Sequence, residues 1–148
     1  MTSRPSRCAC NERVAVLTLS QVNQLDAEQF VATLGFLFEG SPWIVAETWP
    51  KRPFASFDEL HQKLCQTMEQ ASDEQKLALI RAHPDLAGKA AIAGELTPES
   101  TREQASAQLN QLTPDEYATF TRLNDAYRTK FLFPFIICVR EHTKQSIL

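Results

Sequence analysis

A histidine directly before a proline marks the stretch of this chain best suited to chemistry: Arg81-Ala82-His83-Pro84-Asp85-Leu86-Ala87-Gly88-Lys89. The proline ring clashes with an α conformation at the residue before it, so His83 belongs at a helix end or in a turn, open to a ligand. Further along stands a second polar cluster, Ser100-Thr101-Arg102-Glu103-Gln104. Ser100, Glu103 and Gln104 occupy i, i+3 and i+4, which puts a hydroxyl, a carboxylate and an amide on one helical face. Histidine exchanges protons near neutral pH. An imidazole beside that face would make an acid/base pocket. Each part also has a structural reading. A His-Pro pair can end a helix with its ring bonded to a C-terminal carbonyl. Ser100 and Glu103 can form a capping box, Phe133 to Ile137 a piece of core, and Arg140 a surface ion pair.

The elements that must position these groups read as helices with explicit starts. Asp26 to Gln29 predicts an N-cap with glutamine at N3, then a stripe of Phe30, Leu34, Leu37 and Phe38, with a stop at Gly40. Ser41-Pro42 predicts a cap with proline at the first helical position, leading from Trp43 to Trp49. Lys51-Arg52-Pro53 reads as a loop. Ser56 to Glu59 predicts a capping box ahead of Leu60, Leu64 and Met68. Ser72 to Gln75 predicts another, opening a helix that must finish near His83. Thr97-Pro98 starts a helix running towards Leu109. Thr113 to Glu116 opens the next, with Leu112 and Tyr117 as a hydrophobic staple and a stripe of Tyr117, Phe120, Asn124, Tyr127 and Phe131. Phe131 to Val139 reads as extended around Pro134, and a last helix begins near Glu141 to Thr143. The fold class expected is all-α, a single-domain helical bundle over residues 21–148, with residues 1–20 a mobile N-terminal tail.

At 148 residues the chain is long enough for one domain with a substantial core, and 43% hydrophobic with 22% charged residues is a globular composition. A net charge of −3 argues against a nucleic-acid binder, which needs a basic surface. The longest apolar run, Phe131 to Val139, is broken by Pro134 and falls short of the ~18 residues of a membrane span. No apolar leader follows the first arginines, so the cytoplasm is the expected compartment. Cys8 and Cys10 make a lone Cys-x-Cys pair with no partner pair, and with Cys65 and Cys138 they read as reduced thiols. Four glycines leave little room for a phosphate-cradling loop, and there is no nucleophile elbow or His-Glu-x-x-His motif. A zinc hydrolase built on His61, His83 and His142 would lack any preorganised ligand spacing.

Several ordered motifs carry a resemblance. The run His83 to Ala90, then Gly94-Glu95-Leu96-Thr97-Pro98-Glu99-Ser100, then Glu103-Gln104, resembles the 2-oxo-4-hydroxy-4-carboxy-5-ureidoimidazoline (OHCU) decarboxylase family. The likeness continues through Leu112-Thr113-Pro114, Leu123-Asn124, Tyr127, Lys130-Phe131, Phe133 to Ile136 and Val139-Arg140. Upstream, Phe38-Glu39-Gly40-Ser41-Pro42-Trp43 is similar too, so the match spans roughly residues 23 to 148. The resemblance implies loss of CO₂ from OHCU to give (S)-allantoin, the third step of urate breakdown, with no metal or organic cofactor. It implies His83 as catalytic acid/base and Glu103 as the second catalytic group. Pro84 would line the substrate, and Ser100 and Gln104 would make polar contacts. Phe135, Ile136, Ile137, Cys138, Val139 and Arg140 would form a binding wall acting partly through backbone. A homodimer is implied, and relatives usually run past Ser146-Ile147-Leu148 into a further helix. The rival reading is a non-catalytic helical interaction module whose polar cluster is only capping and surface. The two part on whether imidazole and carboxylate share one cavity.

Overall fold

In every described helix but one, a Ser, Thr or Asp side-chain oxygen accepts a backbone N–H of the first turn. The computed structural model describes residues 17–88, 91 and 93–148. Helix α1 (Leu19–Gln24) is capped by Thr18 and α2 (Ala27–Leu34) by Asp26, each through a full capping box. Then come α3 (Trp43–Thr48), α4 (Phe57–Gln70) capped by Ser56, and α5 (Asp73–Arg81) boxed by Ser72 with Gln75. Thr97 caps α6 (Pro98–Ser106), Thr113 and Glu116 box α7 (Pro114–Phe131), and Thr143 caps a last turn, α8 (Lys144–Ile147). Such caps satisfy N–H groups that no helical carbonyl can reach. No strand occurs among the described residues, and the fold is an all-α bundle.

Several boundaries differ from those expected. The α2 pattern does not run to Gly40. It fails at Gly35, whose backbone costs a helix about 1 kcal/mol relative to alanine, and residues Gly35–Leu37 tighten into a 3₁₀ turn. Leu37 therefore leaves the apolar stripe and is 48% exposed. Pro42 precedes α3 as its cap residue instead of opening it, and Ser41, although buried, makes no side-chain cap bond. At α4 only half of the box forms: Ser56 accepts from the Glu59 N–H, but the Glu59 carboxylate accepts from Ala55. Helix α6 stops at Ser106, short of Leu109, because Gln108 turns left-handed at φ 59°. Helix α7 keeps Phe131, and Leu132 ends it at φ 65°. The segment from Phe133 to Cys138 then runs without regular structure past a fully buried Pro134.

Two apolar clusters hold these elements. One joins Val22, Phe30, Ile44, Val45, Phe54, Leu60 and Leu64 from α1 to α4. The other gathers Leu86, Ala87, Ala107, Leu109, Phe120 and Val139, with Phe135 and Ile137 packed against them. Among the described residues no helix is long and apolar enough to cross a membrane. The expected tail and its Cys8-Cys10 pair lie almost wholly outside the described residues, as do Lys89 and Ala90 of the motif.

Candidate active site

His83 follows the last turn of α5, where its backbone N–H still bonds the Ile80 carbonyl. Its Nδ1 lies 2.9 Å from the Leu79 carbonyl oxygen. A carbonyl only accepts, so Nδ1 carries the hydrogen and Nε2 is the nitrogen left for a ligand. The nitrogen that ends the helix and the nitrogen left for a ligand are thus different atoms of one ring.

The turn after His83 is tied down at consecutive residues. Asp85 pairs with Arg128 of α7 at 2.9 Å. The Leu86 carbonyl accepts from Asn124 Nδ2 at 2.8 Å. Ala87, left-handed at φ 50°, donates its buried N–H to Gln104 Oε1 at 2.9 Å. One lone pair of the Gln104 carbonyl is thereby taken on the side of the Ala87 turn, and its amide NH₂ can donate to a ligand.

Thr97 is the cap of α6, which places Ser100 at N3 with its own N–H bonded to the Thr97 hydroxyl. Ser100 and Glu103 are therefore not the capping box that their spacing allowed. They face a hollow of about 60 Å³ lined by His83, Pro84, Leu86, Ser100, Glu103, Gln104, Phe135, Ile136, Ile137 and Val139. One wall of this cup carries acid, base and amide side chains and the other apolar ones. The 3₁₀ turn Val139–Glu141 packs against α6 and closes that apolar wall. Cys138 and Arg140 of the expected wall are exposed and lie outside the lining.

Three contributors went unassigned from the sequence. Asn124 and Arg128 act behind the His83 turn. Glu39 accepts a hydrogen bond from Ser100 Oγ at 2.5 Å, across 61 residues of chain. Asn124 and Glu39 both lie inside the matched motifs, but nothing in their local spacing says what they touch.

A larger cavity of about 400 Å³ adjoins Gln104 from the other side, between Ala87, Leu96, Thr101, Leu109, Leu112 and Tyr117. Among the described residues its lining includes no histidine and no carboxylate. The zinc alternative fares no better. His61 lies beside Cys65 and His142 beside Ser146, and among the described residues no three His, Cys, Asp or Glu side chains gather around a point.

Residues 23–148 match the family model for OHCU decarboxylase. This chain belongs to that family. An OHCU decarboxylase of Halalkalicoccus jeotgali is 46% identical over 131 residues, covering 88% of this chain and 72% of the relative. One from Xenopus laevis is 39% identical over 132 residues, with 89% and 75% covered. A uric acid degradation bifunctional protein of Bacillus subtilis is also 39% identical, although the chain spans only 26% of its length. The crystal structure of an (S)-allantoin synthase superposes with a TM-score of 0.62 at 26% identity. The match covers 89% of this chain and 41% of that one. The family's helical fold is therefore common to proteins that differ greatly in length.

Proposed function

We propose that this chain decarboxylates OHCU to (S)-allantoin, with His83 and Glu103 moving the protons and Pro84, Ser100, Gln104 and the Phe135 to Val139 segment holding the substrate. The observation that carries the reading is one shared hollow. The imidazole at the end of α5 and the carboxylate of α6 line the same cup, beside a hydroxyl, an amide and an apolar wall.

The substrate's own structure explains how little the protein must add. OHCU bears a carboxylate and a hydroxyl on one ring carbon, next to a C=N bond. As the bond to the carboxylate breaks, its electron pair moves into the C=N unit and CO₂ departs. The ring is its own electron sink, the task for which other decarboxylases recruit an organic cofactor. The ring nitrogen that receives the pair takes up a proton, and what remains is an enol. Its hydroxyl loses a proton to become the product carbonyl, and the carbon bearing the ureido group gains one. In sum, carboxylate plus one proton becomes CO₂ plus a C–H bond. Delivery of that proton to one face makes a single enantiomer.

Protein groups fit these needs. His83 Nε2, its partner nitrogen held by Leu79, exchanges a proton with the 4-hydroxyl region, and Glu103 serves as the second proton carrier. The Gln104 NH₂ donates to a carbonyl or carboxylate oxygen of the substrate. Positioning of this kind removes the entropy cost of aligning the groups at reaction.

The test uses freshly generated OHCU followed by circular dichroism. The protein should produce a growing signal from (S)-allantoin, whereas spontaneous decay yields a racemate and none. A folded His83→Ala protein that kept the full rate would remove the imidazole from the mechanism.

A further inference from the structure

We propose that Glu39 sets the polarity of the Ser100 hydroxyl, making Ser100 a hydrogen-bond acceptor towards the substrate and, with Gln104, a reader of amide edges. The inference rests on the decarboxylase site described above and deepens it.

A serine hydroxyl has one proton and two lone pairs, while an ionised carboxylate only accepts. The bond from Ser100 Oγ to Glu39 Oε2 therefore commits the hydroxyl's single proton away from the hollow. The lone pairs remain for a ligand N–H. Gln104 is committed in the opposite sense: its carbonyl oxygen takes the Ala87 N–H, and its NH₂ is left to donate. An acceptor and a donor now stand four residues apart on one helical face, where side chains are neighbours. A ureido group or a ring amide presents the complement, an N–H beside a C=O. An edge with two carbonyls in those places would meet the Ser100 lone pairs and be rejected.

Glu39 is well placed to exert this control. It sits in the turn between the Gly35–Leu37 3₁₀ turn and α3, and that turn abuts the His83 loop. Gly40 is left-handed at φ +68°, and a Cβ there would come within 2.9 Å of the Ala82 Cβ. Only glycine permits so close an approach. One turn thus meets the residue before His83 through Gly40 and the α6 hydroxyl through Glu39. Glu39 does not line the hollow, so it is a positioning residue.

Steady-state kinetics on OHCU test the idea. Glu39→Ala frees the Ser100 proton to point either way and should raise KM roughly three- to tenfold, the scale of one hydrogen bond, with kcat little changed. Glu39→Gln retains an acceptor oxygen and should restore most of the affinity. In a Ser100→Ala background, Glu39→Ala should add nothing, because its effect passes through the hydroxyl. If Glu39→Ala does not fold, Glu39→Met, of similar size and without an acceptor, takes its place. A Glu39→Gln enzyme as weak as Glu39→Ala would overturn the proposal, as would a full Glu39→Ala effect persisting without Ser100. Failure of the underlying site looks different: His83→Ala and Ser100→Ala would then both behave as wild type. An inactive His83→Ala beside an unaltered Glu39→Ala sinks the Glu39 assignment alone.

Discussion

Nδ1 of His83 closes α5 onto the Leu79 carbonyl, and the same residue lines the hollow. Replacement by alanine should cost about 10²–10⁴ in turnover, the usual contribution of a positioned acid/base group, with an unchanged helical spectrum. Glu103→Gln should lose a similar factor in the same dichroism assay, and wild-type activity there would demote Glu103 to a surface residue. Gln104→Leu tests something else. It orphans the buried Ala87 N–H, so urea unfolding should show a loss of about 1–3 kcal/mol. The turn at His83 and the helical face that carries Glu103 were legible because their constraints are local: a proline neighbour in one case and a helical spacing in the other. Glu39 was not, because the hydroxyl it meets lies 61 residues away.

At the scale of elements, helix starts followed the sequence closely, since a cap bond spans three residues and depends on little else. Helix ends followed it unevenly: α5 stops at Arg81, just before His83-Pro84, and α7 at Phe131, but α2 fails early at Gly35 and α6 at Ser106. The exit from α7 offers a prediction: Leu132 sits left-handed at φ 65° and is 66% exposed, so its side chain adds little packing to offset the strain. Leu132→Gly should raise stability by about 1 kcal/mol in thermal melts, without touching the hollow. Helix α8 is held to the start of α7 by Lys144, 2.8 Å from Glu116. Bonding to that ammonium, then to the Thr113 N–H, holds the Glu116 carboxyl below its usual value of 4.5. A lowered folded-state pKa means the stabilisation is present above the ordinary glutamate range and is lost as pH falls through the folded value. Glu116→Gln should therefore flatten the loss of melting temperature on acidification below pH 4.5.

For the molecule as a whole, the site is bonded into the second core cluster, whose Leu86, Phe135, Ile137 and Val139 are also walls of the hollow. Phe120→Ala in that cluster should cost about 3–5 kcal/mol, a large part of a typical domain's stability, and should depress kcat/KM per folded molecule. Phe30→Ala, as deeply buried but in the other cluster, should cost as much stability while the folded fraction keeps its KM. Equal kinetic damage from both would mean that the hollow depends on the whole bundle.

The chain's own pattern of caps, stripes and breakers was enough for an all-α fold, for the turn at His83 and for the shared face of Ser100, Glu103 and Gln104. These features rest on contacts within about four residues, where backbone geometry leaves few alternatives. Convergence was the work of the tertiary structure. It brought α5, α6 and the Phe135 to Val139 segment around one cup, left Cys138 and Arg140 outside it, and set Glu39 behind Ser100. Such meetings depend on how two apolar clusters pack, and packing acts between residues whose separation along the chain carries no periodicity to read.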